Sequence, residues 1–201
     1  MALIERLTDQ TGRFGALLLA MLLDLVLAPI VIASPLGYGG ERFLAALVLV
    51  AALVAVRSRP VAIGLFVLSG GATILEVAVR GPGVHPVASV LRFIFLAYVF
   101  ALVVRRVLTE RDVTYDTIAG AACAYVLLGL VFGQLFIIVE QLIPGSFDIP
   151  ASFKAGPEGD VRASLIYFSL STLTTVGYGD IHPAQAGIGA LAVTEAIVGQ
   201  L

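Results

Sequence analysis

Six apolar stretches of helical length recur along this 201-residue chain, at 14–33, 43–56, 61–79, 87–104, 117–143 and 186–201. Crossing the hydrocarbon core of a bilayer takes about 20 apolar residues, within a range of roughly 17–25. In lipid no water satisfies a backbone N–H or C=O, so a spanning segment of this kind must close its hydrogen bonds internally as a helix. Composition agrees: 59% of residues are hydrophobic, 13% are charged and the mean hydropathy is +1.03. A soluble domain carries about 25% charged residues. The pattern predicts an all-α membrane protein with the lipid bilayer as its surroundings. The second stretch is short but extends through Glu41 and Arg42, whose long stems can snorkel to the interface. The sixth reaches Leu201 while still short of a full span, so its inner turns, where a cytoplasmic gate would form, are expected to be missing. The first stretch is read as a resident helix: its apolar part exceeds the roughly 7–15 residues of a signal peptide, and Asp24 interrupts it.

Charge sets the orientation. With a cytoplasmic N-terminus, the inner segments hold seven arginines (Arg6, Arg13, Arg57, Arg59, Arg105, Arg106, Arg111) against four outer basic residues (Arg42, Arg80, Lys154, Arg162). Such a bias follows the positive-inside rule and places 144–185 outside. A net charge of -2 without a basic tail gives no sign of a nucleic-acid partner. Cys123 is alone in an apolar run, and His85 and His182 have no metal-ligand spacing around them, so neither a disulfide nor a cofactor site is expected.

The outer segment is ordered informatively. Pro144-Gly145 ends the fifth stretch, a polar loop runs to Asp160, and apolar residues from Ala163 lead into Thr174-Thr175-Val176-Gly177-Tyr178-Gly179-Asp180. At about 1.5 Å per residue the stretch before that motif covers only some 18 Å, which suits a half-helix that enters the membrane and returns. Irregular backbone at that depth needs protein or water around it. The half-helix C-terminus would turn partial negative charge toward a cation. An ordinary strand alternates its carbonyls between two sides. Gly177 and Gly179, free to take positive φ, allow the carbonyls of Thr175, Val176, Gly177 and Tyr178 to face one way. Asp180 would attract cations or hold the motif by hydrogen bonds to its neighbours.

The run from Tyr167 to Asp180 followed by Ile181-His182-Pro183 resembles the potassium channel superfamily, in its bacterial form with six transmembrane helices and a voltage-sensor-like front half. The resemblance is close from about Thr117 onward and looser before it. It implies a passive, non-enzymatic channel in the cell membrane whose selectivity filter holds permeant K+ at Thr175, Val176, Gly177 and Tyr178, supported by Thr174, Gly179 and Asp180. It also implies filter bracing by Tyr167 and Phe168, Ser171 where some relatives carry a glutamate, and a gating hinge at Gly199. A chain with one copy of the motif cannot surround an axis alone, and the family geometry implies a homotetramer. The implied domains are a four-helix membrane domain over 1–106, a linker over 107–116 and a pore module over 117–201 with outer helix, re-entrant pore helix, filter and inner helix. Two other readings are a potassium transporter, against which the full TVGYGD spelling argues, and a non-conducting assembly subunit.

Several charges lie in the apolar stretches. A voltage-sensing fourth helix repeats arginine at every third position, whereas Arg92 is followed by uncharged residues up to Arg105, so sensing is expected to be weak. Arg92 and Glu76 lie at matching depths and are expected to pair, as a static bridge or a moving one. Asp24 has no evident partner. Glu195 either faces the pore or hydrogen-bonds the hydroxyl of Ser169 or Thr172. Val107 to Asp116 alternates apolar and charged residues and predicts a short interfacial helix.

Overall fold

The computed structural model describes residues 13–32, 37–55, 60–78, 84–154 and 161–201. The helices are α1 (Arg13–Ile32), α2 (Gly37–Ala55), α3 (Pro60–Ala78), α4 (Val84–Thr109), α5 (Tyr115–Leu142), α6 (Arg162–Leu173) and α7 (Ala186–Gln200). The β structure is a two-residue pairing of β1 (Phe147–Asp148) with β2 (His182–Pro183), antiparallel, and a 3-10 turn covers Ala151–Phe153. This is an all-α chain suited to a membrane. Among the described residues, two helices are long and apolar enough to cross a bilayer, over Pro86–Thr109 and Tyr115–Leu142. Shorter apolar helices lie at Phe14–Leu27, Ala46–Ala55, Pro60–Ala72 and Ala186–Gln200.

The interfacial helix expected over 107–116 does not form. Instead α4 continues through Val107 and Leu108 to Thr109, whose hydroxyl donates back to the Arg105 carbonyl at 2.8 Å, with the Arg106 carbonyl 3.2 Å away. The next helix starts afresh at a reciprocal cap: the Thr114 hydroxyl accepts from the Thr117 N–H at 3.2 Å, and the Thr114 N–H donates to the Thr117 hydroxyl at 3.3 Å. Threonine is a strong N-cap, and a capped start at this position leaves only the polar run before it as connection. Alternation of apolar and charged residues was therefore the end of one helix, a turn and a cap.

Contacts divide the chain into two units, Met1–Gly70 with Tyr98–Ala124, and Gly71–Ala97 with Tyr125–Leu201. The long helices α4 and α5 contribute to both. In the first unit α1 packs on α2, burying Phe14, Leu17, Met21, Val48 and Ala52. Its α1 start is tied to α5: the Phe14 N–H donates to Asp116 Oδ1 at 2.9 Å, and the buried Cys123 thiol donates to the Phe14 carbonyl at 3.1 Å. The Arg106 guanidinium sits 5.9 Å from the Phe14 ring centroid. Asp24 Oδ1 is buried without a hydrogen-bond partner among the described residues.

In the second unit the core is Phe136, Ile137, Phe147, Ile149, Leu165, Phe168, Ile181 and Ala192. Phe136, Phe147 and Phe168 meet edge to face with centroids 5.3–5.4 Å apart, the arrangement their ring quadrupoles favour. This cluster joins the end of α5, the strand before α6, and α6 itself, so it sets the tilt of the half-helix that leads to the motif. The loop after α5 closes on the segment after the motif through β1 and β2, the Ala184 N–H donating to the Ser146 carbonyl at 2.8 Å, and His182 Nε2 lying 3.6 Å from Asp148 Oδ2. Glu140 holds the turn after α5: its two oxygens accept from the N–H groups of Gly145 at 2.9 Å and Phe147 at 3.1 Å.

Candidate functional site

The half-helix α6 ends at Leu173, where the Thr174 N–H donates to the Leu170 carbonyl at 3.0 Å and the Thr174 hydroxyl bonds the same carbonyl at 2.7 Å. From there the chain leaves helical geometry but stays bonded to it. The Thr175 N–H reaches the Thr172 carbonyl at 3.0 Å, and the Gly177 N–H reaches the Ser171 carbonyl at 3.2 Å. The first part of the motif is thus hung from the helix end.

Along the motif, φ is positive at Thr175 (59°), Gly177 (53°) and Gly179 (76°), with Val176 and Tyr178 between them at negative φ. The expected freedom of the two glycines is used. Thr175 is the surprise, because a β-branched residue avoids the left-handed region. Strain of this kind costs on the order of 1–3 kcal/mol and persists only where the surroundings over-determine it. Here the hydrogen bonds at Thr175 and Gly177 bracket the strained residue.

Bracing comes from one aromatic face. Tyr167 stacks on Tyr178 with centroids 6.4 Å apart and planes 8° apart, and its hydroxyl donates to Asp180 Oδ2 at 2.8 Å. The other Asp180 oxygen accepts from the Ile181 N–H at 2.9 Å. Asp180 therefore holds the motif by hydrogen bonds, one of the two roles weighed for it. Phe153, from the loop before α6, also stacks on Tyr167, with centroids 5.6 Å apart. Sequence reasoning missed Phe153, whose only signal was an aromatic residue in a polar loop. Phe168, expected beside Tyr167 as a filter brace, instead faces the buried phenylalanine cluster; adjacent residues on a helix point about 100° apart. Ser171 supports the motif through its backbone carbonyl, while its hydroxyl bonds the Phe168 carbonyl at 2.9 Å.

Behind the motif, three helices meet at small residues. A Cβ on Gly133 of α5 would come within 3.2 Å of Ile166 Cα, and one on Gly199 of α7 within 2.7 Å of the Leu173 carbonyl oxygen. Gly199, expected as a hinge, is thus a point where the last turn of α7 closes on the last residue of α6. The Tyr125 hydroxyl donates to that same Leu173 carbonyl at 3.0 Å, a contact with no sequence signal. Glu195 is buried against α6 and bonded to the Ser169 hydroxyl; of the two hydroxyls considered for it, Ser169 is the one engaged. Arg92 is half-buried on α4, while the Glu76 side chain lies outside the described residues, so their pairing is not described.

Among the described residues no cluster of His, Cys, Asp or Glu could hold a metal ion. The motif offers a different chemistry, a short run of backbone oxygens with alternating φ, and its side chains are open: Val176 is 52% exposed and Tyr178 72% exposed.

Residues 124–201 match a family model described as an ion channel. No curated protein and no solved structure matches the chain. The family match covers most of α5, then α6, the motif and α7, and it supports an ion channel subunit in a membrane.

Proposed function

We propose that the chain is a subunit of a potassium-selective channel that passes K+ down its gradient through a pore formed by four identical copies. The observation that carries this reading is the alternating φ of Thr175, Gly177 and Gly179 in a Thr-Val-Gly-Tyr-Gly run. Alternation of positive and negative φ is the geometry that turns successive carbonyls to one side, where oxygens of Thr175, Val176, Gly177 and Tyr178 can replace the hydration shell of a K+ ion. The C-terminal end of α6 leads into that run, so its partial negative charge favours a cation there. No chemical step is required, and the protein acts as a conduit rather than an enzyme.

One chain supplies one wall. Val176 and Tyr178, apolar or aromatic and largely exposed, are covered when copies stand around a common axis, and a closed cyclic arrangement gives each copy the same surroundings. The arginine distribution supports a cytoplasmic N-terminus and a motif opening outward, in the cell membrane. Voltage adds little: one charge crossing the whole field is worth about 2.3 kcal/mol per 100 mV, so four copies of Arg92 give at most about 9 kcal/mol for a complete traverse.

Single-channel recording of the reconstituted protein tests the reading. Unitary currents that reverse near the potassium equilibrium potential, with opposed potassium and sodium gradients, are expected. Reversal near zero would remove the selectivity, and transport without unitary steps would favour a transporter.

A further inference from the structure

Ser169 is fully buried, and its hydroxyl oxygen stands between two oxygen atoms: the Gly129 carbonyl of α5, 2.6 Å away, and Oε1 of Glu195 on α7. A serine hydroxyl has one proton and donates once. A carbonyl oxygen never donates, so the contact with Gly129 consumes that proton. The contact with Glu195 then needs a hydrogen of its own, and the carboxyl is its only possible source. An ionised carboxylate is acceptor-only and would set two oxygens against each other with nothing between them. Reversing the serine proton toward Glu195 moves the same fault to the Gly129 carbonyl.

A second observation agrees. Glu195 is 0% exposed, and its Oε2 is buried without a hydrogen-bond partner among the described residues. Ionised, that oxygen would carry part of a charge with neither water nor a donor to meet it, a penalty far above that of a lone carbonyl oxygen. With the proton on Oε1, Oε2 is simply the carbonyl oxygen of a neutral acid.

We propose that Glu195 is a positioning residue held as a neutral carboxylic acid, donating its proton to Ser169, which donates in turn to the Gly129 carbonyl. The directed chain of two hydrogen bonds ties α7, α6 and α5 at one level. Gly133 and Gly199 grip α6 on either side of that level, against Ile166 and Leu173. The motif hangs from the same helix through the Ser171 and Thr172 carbonyls, so a shift of α6 about Ser169 moves the proposed filter. Glu195 thus acts through α6 and not as a charge in the pore. The proton count concerns this chain alone; only its consequence for conduction rests on the proposed channel function.

Infrared spectroscopy of the full chain in lipid vesicles at neutral pH tests the proton. A carbonyl-stretch component of a protonated carboxyl is expected in the wild type, lost in Glu195→Gln and shifted in Ser169→Ala. A spectrum in which Glu195→Gln removes only carboxylate bands would overturn the proposal. Conduction tests the role. Glutamine keeps a donor for Ser169, so Glu195→Gln should retain selective current and a folded-to-unfolded ratio within about twofold of wild type, whereas Glu195→Leu should lower that ratio roughly tenfold, the scale of one unmet buried hydrogen bond. Loss of current in Glu195→Gln with its stability intact would mean that the carboxyl acts by charge, and the positioning role would fall. A wild type that shows the protonated band but never conducts would leave the acid in place and remove the channel reading instead.

Discussion

At the scale of single residues, the motif rests on backbone conformations that most side chains oppose. Gly177 sits at φ 53° with open space where a Cβ would go, so Gly177→Ala meets no clash and its cost is purely conformational. Left-handed backbone costs an L-residue roughly 1–2 kcal/mol. In the proposed pore of four copies that penalty would recur at one level, and Gly177→Ala is expected to abolish selective conduction while the helices remain folded. Unchanged reversal potentials in that variant would count against the arrangement. Tyr167 and Asp180 give a second test. Their hydrogen bond at 2.8 Å involves a carboxylate, and bonds to charged groups are worth about 1.5–3 kcal/mol. Tyr167→Phe and Asp180→Asn are each expected to destabilise the protein, and the double variant less than the sum of the two, because the second change removes a bond already lost. Strictly additive losses in a denaturation series would show that the two side chains do not depend on each other.

At the scale of elements, α6 is held between α5 and α7 at glycines, and what each glycine faces decides the outcome of replacing it. A Cβ on Gly199 would meet the Leu173 carbonyl oxygen at 2.7 Å and Leu173 Cδ1 at 2.6 Å, whereas one on Gly129 would meet only side-chain atoms, Leu170 Cδ2 at 2.6 Å first. A leucine tip can rotate; a backbone carbonyl that also accepts from Tyr125 cannot. Gly199→Ala should therefore cost about 1–3 kcal/mol, the range for overpacking, and Gly129→Ala clearly less. Equal losses in thermal denaturation would mean that the end of α7 moves away from Leu173 freely, as a hinge would. The same scale shows how a sequence pattern can mislead: Val107 to Asp116 alternates in a way that fits an amphipathic helix, yet the Thr114 cap begins a new helix and ends the pattern. Short-range periodicity does not contain the information that two helices meet there.

At the scale of the whole molecule, the open faces of Val176 and Tyr178 argue for assembly. Native mass spectrometry from detergent is expected to give a tetramer, and a population of monomers and dimers alone would sink the fourfold pore. The weak sensing proposed above belongs to this scale too, since it would sum over four chains. Arg92→Gln should leave the slope of the conductance-voltage relation nearly unchanged, and a steep dependence that vanishes in the variant would restore a sensor.

How much was readable in advance depends on how local the cause is. The two helices long enough to cross a bilayer, Pro86–Thr109 and Tyr115–Leu142, lie close to the stretches expected at 87–104 and 117–143, because hydropathy belongs to each segment itself. The left-handed φ of Gly177 and Gly179 was readable for a similar reason, as the absence of a Cβ is a property of the residue itself. Thr175 was not readable, since its own preference opposes the conformation and only the bonds to Thr172 and between Gly177 and Ser171 impose it. The same holds for Tyr167 on Asp180, for Phe168 turned into the core, and for Gly129, Ser169 and Glu195 joined in one chain of hydrogen bonds. By itself the sequence determined an all-helical chain suited to a membrane and the place of its one irregular motif. Tertiary structure alone decided which side chains hold that motif, because those contacts join segments far apart in the chain and exist only once helix packing has brought them together.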